Sequence, residues 1–249
     1  EGGAIALVSG EAGIGKTALV DAFTQRCTAR RVLRGTCDDL FTPRPLGPLL
    51  DIARDAGDTL AAAARSPADR EGLFSAFLDL LRARPIVIVI EDVHWADEAT
   101  LDLVRFVGRR VQSTLGLLVL TFRDDELNAA HPMRPTLADL SRAATHRLAL
   151  AGLGHDAVRA LGRRAARSED GLYAATSGNP FYVTEVLYSE RAGVPASVRE
   201  AVLARAAKLD LEARALLDVV SVVPGRAENW LLQRILGDAS AGAERGLAL

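Results

Sequence analysis

The chain has 249 residues, 49% of them hydrophobic and 25% charged, with a formal net charge of −2. That length and balance suit an ordinary soluble globular protein of one or two domains with a sizeable core. No overall basic balance argues for nucleic acid, and no apolar run approaches the roughly 20 residues of a membrane span.

No signal peptide is visible, so a cytoplasmic location is expected. The two cysteines, Cys27 and Cys37, have no metal-type spacing and read as reduced thiols. Lys16 and Lys208 are the only lysines, so nearly all positive charge is arginine. The chain opens on Glu1-Gly2-Gly3, almost directly at a strand, and an upstream segment is therefore expected.

Taken in order, residues 4–8 form a short apolar run that reads as a buried strand. Gly10-Glu11-Ala12-Gly13-Ile14-Gly15-Lys16-Thr17 follows and fits G-x-x-x-x-G-K-[ST], the phosphate-cradling P-loop. Residues 17–28 then carry apolar positions at helical spacing, beginning with Ala18 and Leu19. Glycines at 10, 13 and 15 let the backbone turn tightly and approach an anion without Cβ interference. Their amides, with the positive end of the following helix, suit phosphate. Lys16 would reach the β- and γ-phosphates, and Thr17 would offer its hydroxyl to Mg²⁺. Gly10 through Ala18 is thus the candidate nucleotide-binding stretch. A glycine-rich turn with a surface lysine is the alternative.

Residues 31–35 are a candidate second strand, followed by a proline-rich loop with Pro43, Pro45 and Pro48. Residues 49–56 and 68–84 read as helices, the second amphipathic through Leu73, Phe74, Phe77, Leu78 and Leu81. The uninterrupted run at 86–90 predicts a strand covered on both faces, as in parallel sheets. A helix over 99–111, a buried strand over 117–122, a helix over 135–144 and a strand over 145–150 complete an alternating βα pattern. That alternation predicts a doubly wound α/β architecture for residues 1–150. Beyond it only helical periodicity remains, over 155–167, 181–189, 197–207, 211–223 and 228–236. This predicts a helical second domain over 151–196 and a further unit over 197–249.

Glu91-Asp92 closes the apolar run at 86–90, the Walker B arrangement. One acid would hold the Mg²⁺ shell and the other would orient or deprotonate the attacking water. Their order is left open, and an acidic surface turn is the alternative. In His94-Trp95-Ala96-Asp97, Trp95 reads as a packing residue and Asp97 as the cap of the next helix. His94 would contact phosphate or the second acid. Arg123 leaves the strand at 117–122 on the edge where parallel sheets bind ligands. It would pair with a γ-phosphate, or otherwise with Asp124 or Asp125.

The set GEAGIGKT, VIVIEDVHWADE, LLVLTFRDDEL and SGNPFYVTEVL, in that order, resembles the signal-transducing ATPases called STAND proteins. More narrowly it resembles the ATPase module of large ATP-binding LuxR-type, MalT-like transcriptional regulators. The resemblance implies a P-loop NTPase parallel sheet flanked by helices, a helical lid and a winged-helix-like helical region. It implies Lys16 and Thr17 as Walker A residues, Glu91 and Asp92 as Walker B acids that serve metal and catalysis, and Arg123 as the sensor 1 arginine. Glu91 departs from the commoner aspartate. Gly178-Asn179-Pro180 resembles the lid motif whose proline packs near adenine; by itself it reads as a helix start. An arginine finger of the kind related ATPases carry would fall to Arg142 or Arg147, but this family often lacks one and neither is assigned that role. The segment usually found before the first strand and the C-terminal helix-turn-helix reader are absent from this chain.

The expected function is a weak ATPase that acts as a switch, binding ATP or ADP with Mg²⁺. The ATP state would be open and self-associating, and the ADP state closed by the lid. DNA would be reached only through the absent reader, and no membrane is involved. A second reading is an interaction module with ADP as a structural ligand. A third is an initiator-like DNA-binding ATPase, but Arg199, Arg205, Lys208 and Arg214 are interleaved with acids and form no basic stripe.

Overall fold

A computed structural model of the chain describes residues 2–27, 30–40, 42–65, 69–140, 144–166, 171–189, 195–207, 209, 211–223, 230 and 234. The chain divides into two compact units, residues 1–152 and 153–249. In the first, a five-stranded sheet runs β2-β3-β4-β1-β5 in space. Its strands are β1 (Ala4–Ser9), β2 (Arg31–Thr36), β3 (Ile86–Glu91), β4 (Gly116–Phe122) and β5 (Thr145–Ala149), and all neighbours are parallel. The helices of this unit are α1 (Lys16–Arg26), α2 (Gly47–Ala56), α3 (Asp58–Ala64), α4 (Arg70–Ala83), α5 (Glu98–Gly108) and α6 (Met133–Leu140).

β3 shows why the sheet is covered on both faces. All six of its residues are buried. Side chains of a strand alternate between faces. Ile86, Ile88 and Ile90 accordingly enter the large core with Leu49, Leu73, Phe77 and Val104 from the helices. Val87 and Val89 enter a smaller cluster with Val8, Val119 and Val20 of α1. Phe77 is fully buried, which contributes about 1.5–3 kcal/mol. The parallel sheet with flanking helices is the architecture the strand–helix alternation predicts.

Three local readings are corrected. α3 lies inside what read as a connection, because DTLAAAA has a single buried position, Leu60, and no apolar stripe. α6 covers Met133–Leu140, with Pro135 in its first turn where proline is tolerated; residues 141–143 lie outside the described residues, and Ala144, expected at the helix end, is not helical. α5 ends at Gly108, and a short 3-10 turn at Val111–Ser113 follows.

The second unit holds α7 (His155–Arg164), α8 (Leu172–Thr176), α9 (Pro180–Tyr188), α10 (Ala196–Ala207) and α11 (Leu211–Ser221). Val158, Leu172, Val183 and Leu187 form its buried cluster, and His155 stacks on Tyr173. Asn179 caps α9 by accepting from the Phe181 amide, with Pro180 at the helix start. Gly178 precedes it at φ +75°, and a Cβ there would lie 2.1 Å from the Leu153 carbonyl oxygen. Arg142, Lys208 and the side chain of Arg205 lie outside the described residues, as does the helix expected over 228–236 except at residues 230 and 234. Among the described residues, no helix is long and apolar enough to cross a membrane.

Candidate nucleotide-binding site

The carboxyl ends of β1, β3 and β4 share one edge of the sheet. β1 runs into the P-loop, β3 into Glu91-Asp92 and β4 into Arg123. β4 lies between the other two. Gly10, Gly13 and Gly15 all have positive φ, at 147°, 76° and 98°. A Cβ at Gly10 would meet Ile14 at 2.9 Å and the Leu150 carbonyl oxygen at 3.0 Å, whereas one at Gly15 would meet nothing within 4 Å. The loop is therefore closed against the protein at its start and open over its end, as an anion cradle requires. Ile14 is buried, while Gly13, Thr17 and Ala18 are exposed and Glu11 and Ala12 half-exposed.

Lys16 is buried against its own loop, where its Nζ donates to the carbonyl oxygens of Gly10 at 2.7 Å and Glu11 at 2.9 Å. Burial lowers its pKa, and the charge of Arg123 lowers it further. The Thr17 hydroxyl donates to Glu91 Oε2 at 2.8 Å, joining residues 74 positions apart. Glu91 is 5% exposed. Its other oxygen, Oε1, takes Arg34 Nη1 of β2 at 3.0 Å.

Asp92, directly after β3, lies in the left-handed region, at φ 54° and ψ 45°. Aspartate is among the few side chains that tolerate this conformation. Its amide donates to Thr121 Oγ1 of β4 at 3.0 Å, which fixes the turn. Burial raises the Asp92 pKa, while Arg123 and Lys16 oppose that shift. Asp92, Lys16 and Arg123 thus feel one another's charges.

Arg123 pairs with Glu126 at 2.6 Å, a residue the sequence reading passed over in favour of Asp124 or Asp125. Its guanidinium also lies over the Trp95 ring, 4.7 Å from the centroid, so Trp95 does more than fill space. His94 is buried, and neither ring nitrogen has a hydrogen-bond partner among the described residues. Its Nε2 is 3.8 Å from Glu126 Oε2. Burial pushes the His94 pKa down to about 4. Asp97 caps α5, accepting from the amides of Ala99 and Thr100, and also accepts from the Leu46 amide. Arg147 donates to the Leu137 carbonyl oxygen. Pro180, in the second unit, is described above with α9.

Sequence reasoning missed Arg34, Thr121 and Glu126. Arg34 left one trace, an arginine in the interior of the strand RVLRGT. Thr121 and Glu126 left none, since their roles depend on which strands become neighbours. A cavity of about 280 Å³ is lined by Thr36, Cys37, Arg54, Trp95 and Asp97 among others. No P-loop residue lines it, so it is not the phosphate cradle.

The donors present suit a magnesium–nucleotide complex. Mg²⁺ is commonly held by one or two carboxylates together with substrate phosphates. Thr17, Glu91 and Asp92 supply a hydroxyl and two carboxylates beside an open amide cradle. Among the described residues, no cluster of three or more His, Cys, Asp or Glu could hold a metal unaided.

A strand, a glycine loop with a buried lysine and a helix, facing acids at the end of a second strand, form a P-loop nucleotide-triphosphatase fold. Residues 1–120 match the family described as the AAA ATPase domain. The P-loop and both acids fall inside that span; Arg123 and Pro180 fall outside it. Solved structures similar to the chain include the ORC2 protein of Aeropyrum pernix, in ADPNP–ADP complexes, at 16% identity and TM-score 0.60, covering 96% of this chain and 74% of that one. A Walker-type ATPase of Pyrococcus abyssi is 12% identical with TM-score 0.57, covering 93% and 78%. A STAND protein of Pyrococcus horikoshii with a tetratricopeptide-repeat sensor is 18% identical with TM-score 0.48. The alignment with it covers 99% of this chain but only 36% of that protein. No sequence among curated proteins matches significantly.

Proposed function

We propose that the chain is an ATP-binding, slowly hydrolysing switch module of a signal-responsive transcriptional regulator. The observation that carries the nucleotide part is the 2.8 Å bond from Thr17 to Glu91. That contact between a P-loop hydroxyl and a strand-end carboxylate supports a Mg²⁺ site that would use both. In this reading Lys16 grips the β- and γ-phosphates, Thr17 and Glu91 hold the metal, Asp92 takes the proton of the attacking water, and Arg123 reads the γ-phosphate. Bound Mg²⁺ would supply charge neutralisation at the transferred phosphate. Asp92 is the better base because its neighbour Glu91 already has both oxygens engaged.

The regulator role rests on the order of GEAGIGKT, VIVIEDVHWADE, LLVLTFRDDEL and SGNPFYVTEVL. So do the assignments of residues 151–196 as a helical lid, 197–249 as a winged-helix-like region, and Pro180 as a nucleotide sensor. Self-association in the ATP state, a cytoplasmic location and DNA contact through a separate reader belong to the same reading. Calorimetric titration with ATP and ADP, with phosphate release measured alongside, tests it. Lys16→Ala should abolish tight ATP binding, and Asp92→Asn should keep binding and lose turnover. Unchanged ATP affinity in Lys16→Ala would overturn the reading. Turnover equal to that of Asp92→Asn would leave a nucleotide-binding module that does not hydrolyse.

A further inference from the structure

Arg34 sits in the middle of β2, in register with Val89 of β3. Its guanidinium is forked between two acids. Nη1 lies 3.0 Å from Glu91 Oε1, and Nη2 lies 2.5 Å from Asp21 Oδ1. Asp21 stands on α1 one turn beyond Thr17, at the spacing that puts two residues on one helix face. Thr17 in turn donates to Glu91 Oε2. The four side chains close a ring through three elements: Thr17 and Asp21 on α1, Arg34 on β2, Glu91 on β3. A carboxylate's terminal torsion is broad and roughly two-fold, so a buried glutamate with a single partner would have two ways to present its oxygens. Glu91 has a different partner on each oxygen.

We infer that Arg34 is a positioning residue for the magnesium site: it pins one oxygen of Glu91 so that the other is always presented to Thr17. The inference rests on the reading above, in which Thr17 and Glu91 serve the metal. Arg34 holds Oε1 whatever the Thr17 hydroxyl does, so the acid keeps its orientation when that hydroxyl is recruited elsewhere. Asp21 completes the device by cancelling the guanidinium charge. The trio Asp21, Arg34 and Glu91 carries one net negative charge, the same as an isolated carboxylate.

Electrostatics and positioning predict opposite signs for the loss of Arg34. Deleting a cation beside two carboxylates makes the site more negative, which by charge alone tightens Mg²⁺. Deleting the residue that orients Glu91 weakens it. The test is the Mg²⁺ dependence of binding of a fluorescent ATP analogue, in wild type, Arg34→Gln, Arg34→Lys, Asp21→Asn and Glu91→Gln. Arg34→Gln is expected to raise the Mg²⁺ concentration for half-maximal enhancement about tenfold, the size of one charge-assisted bond. Affinity in EDTA stays unchanged. Arg34→Lys, with one ammonium in place of the fork, recovers part of the loss. Asp21→Asn, which keeps Arg34 on Glu91, shifts the midpoint in the same direction by less. A midpoint that falls or stays put in Arg34→Gln, while Glu91→Gln raises it, overturns the inference alone. A midpoint unmoved in Glu91→Gln as well overturns the metal assignment beneath it. Should Arg34→Gln not fold, Arg34→Lys carries the test, since it keeps the charge and loses the fork: an unmoved midpoint there, while Glu91→Gln raises it, overturns the inference.

Discussion

Replacing Lys16 by methionine keeps most of the aliphatic stem and removes the ammonium, which separates phosphate binding from loop packing. In the free protein that ammonium donates to two loop carbonyls, at 2.7 and 2.9 Å, with the residue 8% exposed. Leaving those carbonyls without their buried donor costs about 1–3 kcal/mol. For a chain of this size that is a fall in Tm of about 2–12 °C. In the complex the same ammonium turns to phosphate, and its loss costs about 1.5–3 kcal/mol, or about 10- to 150-fold in ATP affinity. AMP lacks the β- and γ-phosphates and should weaken by less than about threefold. Calorimetric titrations with ATP, ADP and AMP in Mg²⁺, with thermal melts of the free protein, measure all of these. ATP affinity within about threefold of wild type, or AMP weakened as much as ATP, would refute the assignment of Lys16 to the distal phosphates.

Arg123 must leave Glu126 to reach a γ-phosphate, so Glu126→Gln should tighten a non-hydrolysable triphosphate about two- to fivefold and leave ADP unchanged; an equal effect on both nucleotides contradicts this. Asp97 accepts from the Leu46, Ala99 and Thr100 amides and from the Thr100 hydroxyl, so Asp97→Ala should cost about 1–3 kcal/mol in urea denaturation. A loss below about 0.5 kcal/mol would show that the cap is dispensable. Cys37 is buried, with its thiol pushed up to about 12, whereas Cys27 is half-buried. A thiol reagent should therefore label Cys27 in the native protein and Cys37 only after unfolding. Because the folded thiol ionises at higher pH than the unfolded one, Cys37 should also make stability decline above the ordinary thiol range, about pH 8.5. Labelling of both at one rate would contradict its burial.

What the sequence made legible was what local pattern encodes. The β-branched run at 86–90 could only be a strand covered on both faces, and the isoleucines and valines divide between the two cores accordingly. The P-loop glycines announced their own backbone, since each lies at positive φ. Asp97, six residues after β3 and one before α5, announced its cap. Contacts between elements were not legible. Nothing near Arg34 in the chain names Glu91, which becomes its partner only because β2 and β3 are adjacent. Thr121 holds the Asp92 amide for the same reason. Glu126 was passed over for nearer acids because the turn after β4 returns the third residue, not the first or second, toward Arg123. The alanine-rich α3 was missed because helix propensity without an apolar stripe leaves no periodic signal.

The spatial order of the strands also works as a ruler. With β4 inserted between them, β1 and β3 stand two strand spacings apart, about 9.5 Å. Thr17, carried on α1 after the P-loop that leaves β1, and Glu91, at the end of β3, meet over that gap. Were the strands adjacent, the side chains would crowd the space a cation needs; one strand further, they would never meet. Backbone hydrogen bonding across the sheet, which no side-chain substitution erases, thus sets the width of the jaw. Natural variation is free to retune its teeth.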